Sequence, residues 1–152
     1  MSQLIMLSPH FSLDELLVSE SGARLGIDNT PPKTLLPNLE EMALKLEAVR
    51  ALLGNKGIVV ISGYRCPALN SAVKGSSRSA HMQGLAGDFI CPKFGSPLEI
   101  CKAIAKSSLI FDQLIFEYGR WVHLGLSHTQ ARKQILTVDS KGTRYGLQAI
   151  RL

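Results

Sequence analysis

The spacing of apolar side chains changes period part-way along the chain, and that change limits the possible folds more than any other feature. Leu35, Leu36, Leu39, Met42, Ala43, Leu46, Val49 and Leu53 recur three and four residues apart. This predicts one long amphipathic helix after Pro31-Pro32, closed by Gly54 and Asn55. Directly afterwards comes Ile58-Val59-Val60-Ile61, a β-branched run ended by Ser62-Gly63 and expected of a strand buried on both faces. A helix with one apolar stripe and a strand with two apolar faces both need cover, so helices should pack against a sheet.

Ser12 stands three residues before Glu15 and Leu13, Leu16 and Leu17 follow a stripe, which predicts a capping box and a helix that stops near Gly22 to Gly26. A helical turn is expected between Cys66-Pro67 and Gly75, and a short strand at Asp88-Phe89-Ile90, ended by Pro92. A further helix is expected from Pro97 to Ser107 after Gly95-Ser96. Phe111 to Phe116 and Trp121 to Leu126 read as a hairpin around Glu117-Tyr118-Gly119-Arg120, and a last strand falls around Gln134 to Val138. Helices gather early and strands late, with no repeats. The expected class is therefore α+β, an antiparallel sheet with helices packed against it, in a single domain over 1–152.

The 152 residues suit one core, and 45% hydrophobic against 19% charged residues excludes global disorder. No apolar run approaches the roughly 18 residues of a membrane span. The segment MSQLIMLSPHF lacks a basic region followed by an apolar stretch and a cleavage site, so synthesis in the cytoplasm without Sec export is expected. Cys66, Cys91 and Cys101 are odd in number and outside any CxxC pair, as expected of free buried thiols. A net charge of +5 suits anionic partners: nucleic acid, acidic lipid or an anionic polymer such as the cell wall. Lys74, Arg78, Arg132, Lys133, Lys141, Arg144 and Arg151 could form a basic face or serve solubility. A nucleic-acid-binding domain would show a steep salt dependence, but no stacking platform or recognition-helix motif supports one.

Two of the four histidines stand out. His81 lies in a small-residue loop leading to Asp88, a carboxylate entering an apolar strand, where a cation, either a metal or an arginine, should meet it. His123 sits mid-strand between Val122 and Leu124 and also needs a partner. Two imidazoles and a carboxylate are a ligand set of catalytic zinc sites, with a fourth position left open; hydrogen-bonded structural histidines are the alternative. Hydrolysis also needs a proton acceptor. If the hairpin loop is Tyr118-Gly119-Arg120, Glu117 opposes Trp121 and Ile115 opposes His123, so Glu117 and His123 share a face about 7 Å apart. A two-residue loop would turn Glu117 to the other face, and Asp112 is the second candidate. Arg65, at the end of the apolar strand, could clamp a carboxylate or an oxyanion. Ser79 could donate to a bound peptide or simply serve the turn.

Ser62-Gly63-Tyr64-Arg65, Ser79-x-His81-x-x-Gly84-x-Ala86-x-Asp88 and Trp121-Val122-His123 resemble the SGYR, SxHxxGxAxD and WxH motifs of the zinc D-Ala-D-Ala metallopeptidase family. HFSLDELL, RLGIDNTPP and FDQLIFE also look like its short phage and prophage members. The resemblance implies a hedgehog-like α+β fold, zinc at His81, Asp88 and His123, Arg65 at the scissile carbonyl or substrate carboxylate, and Ser79 near the peptide. In relatives such as the vancomycin-resistance dipeptidases the catalytic carboxylate lies three residues before the last histidine. Here that residue is Arg120, and Glu117 stands six before. The implied activity is metal-assisted hydrolysis of D-amino-acid-containing peptidoglycan stem or cross-link peptides by an endolysin; a monomer is the expected state, although the residues do not fix it. Cleavage would be of the D,D-carboxypeptidase, D,D-endopeptidase or L-Ala-D-Glu type. A zinc-bearing peptidoglycan-binding or phage structural module without catalysis is the alternative.

Overall fold

The computed structural model describes residues 3–151. Two compact units are formed, one by the chain up to Glu47 with Val60–Gly87, the other by Ala48–Val59 with Asp88 onward.

The first unit opens with a ribbon absent from the sequence expectations, β1 (Met6–Ser8) antiparallel to β2 (Phe11–Ser12). Glu47 ties it down, accepting from Ser8 Oγ at 2.7 Å, His10 N at 2.7 Å and His10 Nδ1 at 2.8 Å. The capping box forms as expected: Ser12 Oγ accepts from Glu15 N at 3.2 Å, and Glu15 Oε1 from Ser12 N at 3.1 Å. The helix it starts, α1 (Leu13–Leu16), stops after one turn rather than reaching Gly22–Gly26. Ser19 is a second cap, extended at φ −158° with Oγ accepting from Gly22 N, and it starts α2 (Glu20–Leu25), which ends at Gly26 with φ 67°. The long helix is α3 (Leu36–Leu52), preceded by a 3₁₀ turn at Lys33–Leu35. Leu39, Met42, Ala43, Leu46 and Val49 are buried along it. Gly54 and Asn55, at φ 79° and 60°, close it, with Asn55 N bonded to Arg50 O at 2.9 Å.

Six strands, β3 (Val59–Ser62), β4 (Ala86–Ile90), β5 (Gln113–Glu117), β6 (Trp121–Gly125), β7 (Gln134–Asp139) and β8 (Gly142–Tyr145), form a sheet in the order β3-β4-β6-β5-β7-β8. β3 is not buried on both faces: Val60 is 9% exposed, but Val59 is 52% and Ile61 40%. It is an edge strand, so its β-branched run reflects strand propensity rather than two-sided cover. The β5–β6 hairpin has the expected register, Glu117 opposite Trp121 and Ile115 opposite His123, around a three-residue loop. The sheet is mixed rather than wholly antiparallel, because the chain leaves β6 and re-enters on the far side of β5, making β7 parallel to β5. β8, unforeseen in the sequence, returns along β7 through a turn at Ser140-Lys141. The α4 (Pro67–Ala72) and α5 (Pro97–Lys106) helices fall where expected, α5 capped by Ser96 and burying Ile100, Cys101 and Ile104. All three cysteines are free and buried, and burial pushes the Cys101 thiol up to about 12. Among the described residues no helix is long and apolar enough to cross a membrane.

Candidate metal centre

The end of β3 explains why the first motif begins Ser-Gly. Tyr64 N donates to Leu16 O at 2.7 Å, and this approach brings the strand so near that a Cβ on Gly63 would run into the Leu16 carbonyl. The Gly63 carbonyl in turn meets His81 Nδ1 at 2.6 Å. A carbonyl only accepts, so Nδ1 carries the proton and the ring's lone pair lies on Nε2, the atom then fitted to ligate a metal. His81 rides on a 3₁₀ turn, Ala80–Gln83, whose N-cap Ser79 accepts from His81 N at 3.2 Å, and Gly84 ends the turn at φ 70°.

The same turn is bonded to the Arg65 segment. Arg65 N donates to His81 O at 3.1 Å, and the Arg65 guanidinium to Ser79 Oγ at 3.2 Å. Asn29 holds that segment from both sides, donating to Tyr64 O at 2.8 Å and accepting from Cys66 N at 2.8 Å. Asn29 lies within the RLGIDNTPP stretch, where nothing in the residue pattern marks it as an anchor.

Asp88 and His123 are both buried, and His123 Nδ1 meets Asp88 Oδ1 at 2.8 Å. The Asp88 carboxylate thus meets an imidazole nitrogen inside the sheet. Glu117 Oε1 lies 3.8 Å from the same His123 nitrogen, the shared face that the three-residue loop predicts. Asp112 points elsewhere: its carboxylate takes two hydrogen bonds from Arg132, at 2.8 and 2.9 Å, and that pairing holds it below the ordinary carboxylate range. Arg144 and Arg151 likewise bind Asp139, so three of the seven cations considered for a basic face are paired.

One ligand atom from each of His81, Asp88 and His123 lies within 4.8 Å of the other two. Two imidazoles and one carboxylate, all buried, are also a donor set suited to zinc with an open fourth position. A family model described as Peptidase M15 matches residues 9–125, well over half of the chain and a span containing all three residues. The chain belongs to the Peptidase M15 family. Comparison with curated proteins finds no match. M15 peptidases are zinc-dependent, and the family with the buried donor set makes this chain a zinc-dependent peptidase. The resemblance to the zinc D-Ala-D-Ala metallopeptidases therefore holds.

Gly63 offers a test of how this M15 site is built. Gly63→Ala is expected to lower the thermal midpoint, because the Leu16 backbone must move. It is also expected to weaken zinc binding about 10- to 100-fold, since the carbonyl that orients His81 moves with it. Thermal melts and competition with a chromophoric chelator measure the two effects.

Proposed function

We propose that this M15 peptidase hydrolyses D-amino-acid-containing peptides of bacterial peptidoglycan, as an endolysin-type enzyme of phage or prophage origin. The observation that carries the reading is the buried His81, Asp88 and His123 group with the Glu117 carboxylate 3.8 Å from His123 Nδ1. We assign His81, Asp88 and His123 as the zinc ligands. When bound, zinc supplies Lewis-acid polarisation of a carbonyl and makes water nucleophilic near neutral pH.

In this reading Glu117 accepts the proton of the attacking water and returns it to the leaving amine, so that one carboxyl serves both half-reactions. Arg65, whose backbone is fixed by Asn29 and His81, stabilises the oxyanion or holds a substrate carboxylate. Ser79 already accepts two hydrogen bonds, so its own hydroxyl hydrogen is what it offers a peptide carbonyl. A net charge of +5 favours approach to an anionic wall. The fold type is hedgehog-like, and residues 1–152 act as one catalytic domain and as a monomer.

Digestion of purified Gram-negative peptidoglycan, with products identified by mass spectrometry, tests this. The zinc-loaded protein should release defined peptide fragments whose masses name the bond. A chelator should abolish release, and added zinc should restore it. Absence of cleavage by zinc-loaded protein would remove peptidoglycan as the substrate.

A further inference from the structure

Beside the hairpin loop lies a cleft of about 320 Å³ that none of the roles above uses. Tyr118, Arg120 and Trp121 line one side, and Asp139, Ile150 and Arg151 another. The latter three come from the chain beyond the residues that the M15 family model matches. Its volume is at the small end of the range for small-molecule sites.

The lining has a definite chemistry. The Tyr118 and Trp121 rings stand 5.7 Å apart, tilted by 50°, and with Ile150 they give an apolar wall. The Asp139 charge is already met: its carboxylate accepts from the backbone of Arg151 and Lys141 and from the guanidinium groups of Arg144 and Arg151. Arg120 is exposed and, among the described residues, forms no ion pair. Trp121 Nε1 is buried without a hydrogen-bond partner among the described residues, so the indole is held by packing alone. The cleft thus presents one unengaged cation on an aromatic floor, with Glu117 across the hairpin as the nearby opposing charge.

Its position gives it a purpose. Trp121 and His123 are two residues apart on β6, so their side chains share a face about 7 Å apart, the length of two residues of an extended peptide. We propose that the cleft is a substrate subsite for a carboxylate-bearing residue of the peptide, two positions from the bond cleaved, held by Arg120 and stacked on Trp121. This deepens the reading of the site as a peptidoglycan peptidase and rests on it.

Trp121 is the chain's one tryptophan, so its fluorescence reports occupancy of this cleft directly. The zinc-loaded Glu117→Gln chain, which should bind without turnover, is titrated with the stem tetrapeptide L-Ala-γ-D-Glu-L-Lys-D-Ala and with the same peptide carrying a carboxamide in place of the D-Glu α-carboxylate alone, so that the terminal carboxylate stays available to Arg65 in both. The acid form should bind about 10- to 100-fold more tightly. Arg120→Met should erase that preference and Arg120→Lys should restore part of it. An unchanged tryptophan signal, or an acid preference that survives Arg120→Met, overturns the subsite. If the wild type cleaves peptidoglycan while acid and carboxamide bind alike, the subsite fails and the peptidase reading stands. If the Arg120-dependent preference appears and the wild type cleaves nothing, the subsite holds as an acidic-peptide site and the peptidase reading fails.

Discussion

Glu117→Gln is expected to lower kcat about 100- to 10,000-fold on any peptide this M15 enzyme cleaves, with zinc content and fold unchanged. Glutamine keeps the shape of the side chain and its contact distance to His123 but cannot take a proton. The proposal of Glu117 over Asp112 rests on where each carboxylate stands. Glu117 faces Trp121 in the hairpin register and reaches within 3.8 Å of His123 Nδ1. Asp112 is bound through both carboxylate oxygens to Arg132, and that hydrogen bonding depresses its pKa, so it is a weak proton acceptor near neutral pH. Asp112→Asn should accordingly leave kcat within a few-fold of wild type. The measurement is steady-state hydrolysis of a defined peptide by the two variants, with metal assayed on each. Full activity in Glu117→Gln, or collapse in Asp112→Asn alone, would reverse the assignment. A protein that only binds the wall would be indifferent to both changes.

How much of this was legible in the sequence depends on how local the cause is. The Ser12 and Glu15 capping box is complete within four residues, and it forms as read. The hairpin register is equally local: Tyr118 and Gly119 take positive φ values of 53° and 69°, which fits a three-residue loop, and the register then places Glu117 and His123 on one face. Ser19 was a readable second cap, but the apolar residues on either side of it ran together into one stripe and hid the break. The apolar run of β3 could not reveal that the strand lies at the sheet edge, because edge position is a property of topology rather than composition. The parallel pairing of β5 with β7 joins residues about twenty apart and left no mark on the local pattern.

The site divides in the same way. Residue types and motif spacing bring forward His81, Asp88, His123, Glu117, Arg65 and Ser79. The contacts that orient them are long-range: the Gly63 carbonyl on His81, and Asn29 on both neighbours of Arg65. A glycine's carbonyl and an asparagine in a loop have no pattern of their own to read.

Asp88→Asn should abolish peptidase activity and remove most of the stabilisation that zinc gives the protein. The three candidate ligand side chains are buried, so the folded state presents a preformed site that the unfolded chain lacks, and binding to it stabilises the fold by mass action. Free zinc at a hundred times its dissociation constant would add about 2.7 kcal/mol, visible as a higher thermal midpoint. Asparagine preserves the size of the side chain and still offers His123 a carbonyl oxygen. The effect of the change is therefore on charge rather than packing, and the metal-free variant should melt near the metal-free wild type. With Asp88 as a proposed ligand, what the variant loses is the anionic charge that balances a dication in a buried setting. Melting both proteins with excess chelator and again with buffered zinc separates the two contributions. A variant that gains the wild-type increment from zinc would show that Asp88 is not a ligand. A metal-free variant that melts far below the metal-free wild type would show instead that the His123 contact carries the fold by itself.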